Sequence, residues 1–206
     1  MTKNSRLIAI AAAMAAAAFV PVHAHQHAGQ DRGNWLLRAK LTHLEPVNSD
    51  TVAGMDLSVN AKTFPTLDIV YFLTPNLATE LILTVPQRHN VRDANTRIGS
   101  ISHLPPTLSL QYHFTGLQGF RPYVGVGLNF TRLTDVNLDI PGASLRRNSF
   151  GLALGAGVDI PVGGGWLVGA DVKKVQIDTD VRLNGAKLGN FEINPWLFSV
   201  GVGRRF

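Results

Sequence analysis

The sequence contains no cysteine, and after its first twenty residues it contains no long apolar run. Without cysteine there is no disulfide framework, so stability must come from side-chain packing and backbone pairing. Without an apolar run of about 20 residues there is no membrane-spanning helix, so any membrane insertion must take the form of a closed barrel. Basic clusters are also missing, because lysine and arginine are scattered and occur only as short pairs such as Arg146-Arg147 and Arg204-Arg205. This distribution does not favour a nucleic-acid partner.

The amino-terminal segment is organised like a cleaved secretory signal peptide. Lys3 and Arg6 precede the Ala-rich apolar run Leu7–Val20, and Val22-His23-Ala24 offers small residues at the cleavage positions. An uncleaved anchor is the alternative, but no stop-transfer pattern follows. Cleavage would leave 17 of the 19 basic residues against 14 acidic ones. The chain is predicted to consist of a signal peptide, a flexible leader and one outer-membrane β-barrel domain, at residues 1–24, 25–33 and 34–206 respectively.

Eight segments of the folded domain alternate between apolar and polar residues, which is the pattern of a half-buried β-strand. The first segment places Leu37 and Leu41 on one face and Arg38 and Lys40 on the other. In the second half of the chain the polar face is rich in glycine, which leaves space for large neighbours across a narrow lumen. The predicted strands are Trp35–Leu44, Lys62–Leu73, Leu77–Val85, Thr107–Phe114, Arg121–Leu133, Phe150–Ile160, Trp166–Ile177 and Trp196–Phe206.

The links between these segments alternate in length, so long and short links fall at opposite rims. The long links are 45–61, 86–106, 134–148 and 178–191, and the short links are 74–76, 115–120 and 161–165. Short periplasmic turns, long extracellular loops, an even strand count and both termini in the periplasm are typical of outer-membrane barrels. We therefore predict an all-β fold, an eight-stranded antiparallel transmembrane β-barrel in the outer membrane of a Gram-negative bacterium.

The composition of the polar face helps to distinguish a membrane barrel from a soluble one. In a soluble, lipocalin-type barrel the polar face would meet water and the apolar face would line a ligand site, and alternation alone fits both arrangements. Here the polar residues carry charges of both signs that can pair in a closed lumen, and the long loops favour the membrane. We expect a lumen charge network formed by Arg38, Lys40, Asp68, Glu80 and Asp171.

Three local features follow from the same alternation. Aromatic residues near the short-turn rim should form a periplasmic girdle. A slip in the alternation at Lys173-Lys174 predicts a bulge. The last strand ends on an aromatic residue, and its apolar row is a candidate signal for the barrel assembly machinery. The girdle residues are Tyr71, Phe72, Tyr112, Phe114, Trp166 and Phe206, and the candidate assembly residues are Phe198, Val200, Val202 and Phe206.

Several short motifs occur in the same order as in a known family. They are Tyr71 to Glu80 (YFLTPNLATE), His103-Leu104-Pro105-Pro106-Thr107-Leu108, Arg121-Pro122-Tyr123-Val124-Gly125, Asn194-Pro195-Trp196 and the terminal Arg205-Phe206. With these motifs the chain resembles the OmpW family of small outer-membrane proteins, which includes the AlkL-type alkane-uptake proteins. The resemblance runs from Trp35 to Phe206.

The resemblance implies passive passage of small hydrophobic molecules across the outer membrane, without catalysis and without a cofactor. It further implies sideways release into the lipid rather than into the periplasm. Because eight strands leave a lumen filled by side chains, a wide aqueous pore is not expected. The expected partners are outer-membrane lipid, lipopolysaccharide, the barrel assembly machinery and the hydrophobic solutes.

The loops are rich in apolar residues, so we expect an apolar mouth at the extracellular rim. The candidate ligand-binding residues are Leu57, Val59, Phe64, Ile101 and Leu104. The alternative is that these side chains pack a rigid cap of loops against itself, since scattered apolar residues are common outside ligand sites.

Other functions stay open at this point. A non-conducting structural or receptor barrel fits the same pattern. A lipid-modifying enzyme would draw on Ser102, His103 or His113, but no nucleophile motif surrounds them. A chain starting at His25-Gln26-His27 could hold Cu(II) or Ni(II), although a polar tail without a role is the simpler interpretation.

Overall fold

A computed structural model describes residues 33–94 and 96–206. The predicted signal peptide, the leader up to residue 32 and the His25-Gln26-His27 start lie outside the described residues. Within the described residues no helix is long and apolar enough to cross a membrane. The strands are β1 (Trp35–Glu45), β2 (Ser49–Asp50), β3 (Leu57–Val59), β4 (Lys62–Phe72), β5 (Leu77–Thr84), β6 (Gln87–Asp93), β7 (Thr96–Leu104), β8 (Thr107–His113), β9 (Arg121–Leu138), β10 (Ala143–Leu145), β11 (Asn148–Gly163), β12 (Trp166–Val175), β13 (Asp178–Leu183), β14 (Ala186–Glu192) and β15 (Trp196–Arg205).

Eight of these strands form a closed antiparallel barrel. Around the barrel the order is β1, β4, β5, β8, β9, β11, β12 and β15, and β15 pairs back onto β1 from Leu36–Arg205 to Glu45–Trp196. The two ends of the described chain meet at one rim, where the amide of Trp35 donates to the carbonyl of Phe206 over 3.2 Å. The short turns lie at this rim, which is therefore periplasmic. The predicted eight-stranded barrel is confirmed.

The strand faces follow the predicted alternation. On β1 the side chains of Leu37 and Leu41 are exposed, whereas those of Arg38 and Lys40 are buried. In a barrel one face of the sheet lines the lumen and the other faces outward, so this alternation separates an apolar outer surface from a polar lumen. The outer surface carries the exposed apolar residues that face lipid, among them Leu67, Leu83, Leu108, Val126, Leu128, Leu152, Leu154, Phe198 and Val200.

The predicted bulge at Lys173-Lys174 is wrong. The pairing of β12 with β11 and β15 runs without interruption through these residues, and the register shift of this strand pair lies at Pro161 and Gly163 instead. Asp171, Lys173, Val175 and Ile177 all share the buried face. The sequence alternation breaks here because the side chains that face the lumen change from charged at Lys173 to apolar at Val175.

The predicted periplasmic girdle needs one correction. Tyr71, Tyr112, Phe114, Trp166 and Phe206 lie on the outer face, and the rings of Tyr112 and Phe114 are 5.2 Å apart. Phe72 is only 4% exposed and points into the lumen, because it follows the outward residue Tyr71 on the same strand. Trp35, which packs 4.8 Å from the Tyr71 ring, belongs to the girdle instead.

The remaining seven strands lie above the barrel, at the extracellular end. Three of them, β7, β6 and β3, extend the barrel sheet beyond β9, and the other four form a second sheet in the order β10, β13, β14 and β2. Between them lies an apolar core that includes Leu57, Ile101, Leu133, Val175 and Phe191. The long links of the sequence are thus mainly strands, and the barrel strand β9 reaches Leu138 rather than Leu133.

Candidate functional site

The middle of the lumen is filled by a charged layer. It contains all five residues that the sequence analysis assigned to a charge network. Arg38 contacts Glu80 over 3.4 Å, and Lys40 lies 2.5 Å from Asp68 and 2.6 Å from Asp171. All five side chains are buried. Because a buried charge is costly unless it is paired, each of these side chains depends on its partners, and together they fill this part of the lumen.

Two members of the charged layer were missing from the predicted network. Asp159 on β11 accepts from Arg38 over 2.5 Å, and Lys173 on β12 lies 3.0 Å from Asp171 and 3.6 Å from Glu80. The alternation places both residues on the inward face. Their height relative to Arg38 depends on the stagger of strands far apart in the chain, which single-strand patterns do not contain.

Below the charged layer a column of stacked side chains fills the periplasmic end of the lumen. The Arg205 guanidinium lies 3.8 Å from the Phe72 ring centre, and the Phe72 and His113 rings are 4.8 Å apart. The His113 and Tyr123 rings stack with their centres 4.9 Å apart, and the Arg38 guanidinium lies 4.9 Å from the centre of the Tyr123 ring. The column and the charged layer together leave no wide passage to the periplasm.

Above the charged layer the lumen contains a cavity of about 30 Å³, enough for one or two water molecules. Its base is polar, formed by Lys40, Lys173 and a set of hydroxyl and amide side chains. Its upper wall is apolar. The apolar residues that line it include Leu44, Phe64, Ile82, Val175, Ile177 and Leu197.

Four of the predicted mouth residues lie above or beside this cavity, and these four do not form an open surface. Leu57, Val59 and Ile101 are buried in the extracellular core, Ile101 completely, and Phe64 lines the cavity. The backbone of Leu104 lies on β7 opposite Arg132. The packing of Leu57, Val59 and Ile101 corresponds to the alternative in which the loops form a cap packed against itself.

The barrel wall beside the cavity has a short segment without strand pairing. The β5–β8 pairing ends at Ile82 and Thr107, and the β6–β7 pairing begins at Gln87 and His103. Within the described residues, no ladder pairing joins the two intervening stretches. They are Leu83-Thr84-Val85-Pro86 and Leu104-Pro105-Pro106.

Proline accounts for this unpaired segment. Pro86, Pro105 and Pro106 have no amide hydrogen, so three of the seven intervening residues cannot donate to a ladder. Two of the other residues there, Leu83 and Val85, are exposed on the outer, lipid side. Thr84 and Pro105 line the cavity on the inner side. We call this break in the β5–β8 pairing, between residues 83–86 and residues 104–106, the unpaired segment. It separates the cavity from the lipid, although Leu83 and Thr84 still pair with β4 and Leu104 pairs with β9.

The histidines considered as possible catalytic groups lie in different places. His103 and His89 form a buried pair in the extracellular β6–β7 hairpin, with their Nε2 atoms 2.9 Å apart, whereas His113 lies in the periplasmic column. Burial, with a smaller contribution from His89 and Lys62, lowers the pKa of His103 to about 3. Burial likewise lowers the pKa of His89, whose Nδ1 is 2.8 Å from the carbonyl oxygen of Asn60. The pair thus links the hairpin to the end of the first loop.

The candidate assembly residues share the lipid-facing row of β15. Phe198, Val200 and Phe206 are half exposed or more, and Val202 is partly buried. Arg204 continues this row, and its guanidinium lies 5.4 Å from the Trp166 ring and 5.9 Å from the Phe206 ring. The strand that carries this row closes the barrel, since β15 pairs with both β12 and β1.

The closed strand order, the apolar exterior and the charged lumen define an outer-membrane β-barrel protein. Residues 31–206 match the model of the OmpW family, and the chain belongs to this family. The chain is 32% identical to outer membrane protein W of Vibrio cholerae, over 95% of this chain and 96% of that protein. It is 30% identical to the dibenzothiophene metabolism operon protein PahQ of Pseudomonas aeruginosa, over 78% of this chain and 79% of that protein.

The fold is likewise similar to a solved structure. The crystal structure of the outer membrane protein OprG from Pseudomonas aeruginosa superposes with a TM-score of 0.76 at 26% sequence identity. The match covers 86% of this chain and 98% of that one. The family and the fold are those of outer-membrane barrel proteins, and the protein lies in the outer membrane.

Proposed function

We propose that this protein is a passive conduit by which small hydrophobic molecules cross the lipopolysaccharide leaflet and leave sideways into the membrane. The observation that carries the proposal is the position of the cavity. It lies between an apolar extracellular core and the unpaired segment of the wall, and the charged layer lies beneath it. A route into the lipid therefore meets less obstruction than a route along the barrel axis.

The energetics support the same direction. A solute that leaves water for the apolar core gains about 0.8 kcal/mol for each buried CH₂ group. The charged layer offers it no comparable surface, because that layer consists of ionised side chains that are paired with one another. The membrane interior is the downhill destination. The name of the relative PahQ refers to dibenzothiophene, a small polycyclic apolar compound, and suggests a solute of this class.

Entry requires the extracellular core to open. Leu57, Val59 and Ile101 are packed together, and the cavity is smaller than a hydrocarbon chain. A local separation of the β6–β7 hairpin from the second sheet would connect the core to the cavity, because Val175 and Ile177 belong to both. Solute passage in this proposal is therefore limited by a local opening of the loop strands.

Membrane partners follow from the same placement. The exposed apolar band contacts lipid, and we infer that lipopolysaccharide surrounds its extracellular half, as in other barrels of this orientation. We also infer that the barrel assembly machinery recognises the apolar row of β15, which consists of Phe198, Val200, Val202 and Phe206.

A reversible crosslink tests the conduit. Continuing the register of Ile82 and Thr107 brings Thr84 opposite Pro105, so a disulfide in the variant Thr84→Cys/Pro105→Cys would close the unpaired segment. The natural chain has no cysteine to interfere. The matched control is Thr79→Cys/Leu110→Cys, which joins the same two strands where they are already paired. The measurement is uptake of radiolabelled dibenzothiophene by cells that express each variant or no protein.

We expect the oxidised Thr84–Pro105 crosslink to reduce uptake to the level of cells without the protein. A reductant should restore it, and the control crosslink should have no effect. Full uptake through the oxidised variant would contradict lateral release between β5 and β8. Equal uptake with and without the parent protein would contradict the conduit itself and favour a structural or receptor barrel.

A further inference from the structure

A layer of neutral polar side chains separates the charged layer from the apolar part of the cavity. The Thr42 hydroxyl lies 2.9 Å from the Thr66 hydroxyl and 3.1 Å from the Ser199 hydroxyl. Across the lumen, the Asn129 amide donates to the Thr107 hydroxyl over 2.9 Å. All five side chains are buried, and all five line the cavity. We call these five residues the hydroxyl layer.

The hydroxyl layer has hydrogen-bonding capacity that its own bonds do not use. Each hydroxyl has one donor and two acceptor lone pairs. Two hydrogen bonds link the hydroxyls of Thr66, Thr42 and Ser199, and they use two donors and two lone pairs. One donor and several lone pairs of these three hydroxyls remain. Each hydroxyl already has a partner, and a polar group that enters the cavity could form a further hydrogen bond with the remaining donor or lone pairs.

The charged layer beneath argues against a charged solute. Its four carboxylates, Asp68, Glu80, Asp159 and Asp171, already engage its three cations, Arg38, Lys40 and Lys173. An added carboxylate or ammonium group would compete for these pairs and would lose its hydration shell in the process. A hydroxyl, carbonyl or phenol group carries no such penalty and needs only the hydroxyl layer.

We propose that the cavity selects small amphipathic solutes with one neutral polar group, such as alcohols, ketones and phenols. The polar group hydrogen-bonds to Thr42, Thr66 and Ser199. The apolar part lies against Leu44, Phe64 and Ile82, on the side that leads to the unpaired segment. This assignment rests on the proposed conduit function and names its preferred substrate class.

A pair of solutes that differ by a single hydroxyl group tests the proposal. Uptake of radiolabelled 1-octanol and n-octane is measured separately in cells that express the full chain, and the uptake of cells without the protein is subtracted. The test variant is Thr42→Val/Thr66→Val, which replaces two hydroxyls by methyl groups of similar size. Thr79→Val on the lipid-facing side of β5 is the matched control. Thr42→Ser keeps a hydroxyl and serves as a rescue variant.

For the parent we expect protein-dependent uptake of octanol to exceed that of octane. The double variant should lower the octanol-to-octane ratio about threefold to tenfold, the effect of one lost hydrogen bond. The control and Thr42→Ser should keep the parent ratio. The ratio within one variant is independent of its expression level, and protein-dependent octane uptake shows that the variant is folded.

The two proposals fail in different ways. Absence of protein-dependent uptake for both solutes would overturn the conduit and this assignment with it. Protein-dependent uptake of both solutes with a ratio near one, or a parent ratio retained by the double variant, would overturn the substrate assignment alone. If the double variant does not assemble, Thr66→Val by itself decides between the same two results.

Discussion

The backbone of Gly157 on β11 lies directly against the ring of Tyr123 on β9. A Cβ atom at Gly157 would clash with the ring and the hydroxyl of Tyr123. The Tyr123 hydroxyl in turn donates to Asp171 over 3.4 Å, and its ring contacts His113 and Arg38. The missing side chain of Gly157 is therefore what lets the charged layer and the periplasmic column meet at one tyrosine.

Gly157→Ala should destabilise the barrel by about 1 to 3 kcal/mol, because overpacking forces the Tyr123 ring off its position. The control is Gly125→Ala, whose added Cβ would lie 3.2 Å from Cγ of Gln111 and 3.3 Å from the carbonyl oxygen of Leu110, a milder contact than the one at Gly157. Urea unfolding in detergent micelles measures both. Equal midpoints for the two variants would show that Tyr123 can move aside without loss.

Glu80→Ala should destabilise the barrel by about 3 to 5 kcal/mol, the usual cost of removing one partner from a buried ion pair. It would leave Arg38 and Lys173 each without one carboxylate contact. Glu45→Ala at the exposed end of β1 is the control, and it should change stability by less than about 0.5 kcal/mol. If the Glu80 variant had the same free energy of unfolding as the parent, Glu80 would not stabilise the charged layer.

Val200→Arg places a charge on the lipid-facing row of β15. Val200 is well exposed on that face, so the substitution should cost about 2 to 4 kcal/mol if the residue lies near the bilayer midplane. Leu188→Arg on β14 provides a control outside the membrane, where the same charge meets water. The free energy of unfolding from lipid vesicles is the measurement. A small effect for both variants would place Val200 near a headgroup region.

Phe206→Ala tests the assembly row. We expect less heat-modifiable, folded protein in outer-membrane fractions, because the terminal aromatic residue is proposed to guide insertion. Phe120→Ala removes an equally exposed aromatic residue from a periplasmic turn and should leave the folded yield unchanged. An unchanged yield for Phe206→Ala would remove this residue from the assembly row.

The His89–His103 pair should make the β6–β7 hairpin sensitive to acid. Burial holds the pKa of His103 at about 3 in the folded protein, below the ordinary value of 6.5. Between these values the unfolded hairpin binds a proton that the folded hairpin does not, so stability falls as the pH is lowered from about 6.5 toward 3. Above pH 7 the contribution of this pair to the stability of the hairpin should be constant.

Hydrogen exchange of the β6–β7 amides, corrected for intrinsic rates, measures this effect. The β13–β14 hairpin is an internal control. There Lys187 donates a hydrogen bond that lowers the pKa of Asp180 below its ordinary value of 3.8, so the stability of this hairpin should change only in stronger acid. His103→Leu should remove most of the acid sensitivity of the first hairpin. Equal protection of β6–β7 at pH 7 and pH 4 would contradict the prediction.

The barrel was predictable from the sequence because its two faces differ in chemistry at every step of a strand. Arg38 and Lys40 alternate with Leu37 and Leu41, so that one face of the strand meets lipid and the other lines the lumen. Strand ends were less predictable. β9 continues to Leu138 because its upper part pairs with β7 rather than ending at the membrane.

Contacts across the lumen and the register of the wall were beyond the sequence patterns. Asp159 and Arg38 are 121 positions apart, and only the stagger of the closed barrel brings them to one height. The unpaired segment depends on where two ladders stop, although Pro105-Pro106 was a visible sign that pairing would be interrupted. The phase of Val175 was misread because an apolar residue can face either lipid or an apolar cavity.

The second extracellular sheet joins the two halves of the chain, since Phe191 on β14 pairs with Asp50 on β2, the strand that follows β1. These partners are far apart in sequence, so the cost of closing the intervening loop must be met before the pairing contributes any stability. Docking of the first and last transmembrane strands brings these partners together, so we expect the cap to complete its pairing after the seam between β1 and β15 has closed. Resistance of the loops to an added protease would then report seam closure on the cell surface, without any label inside the membrane.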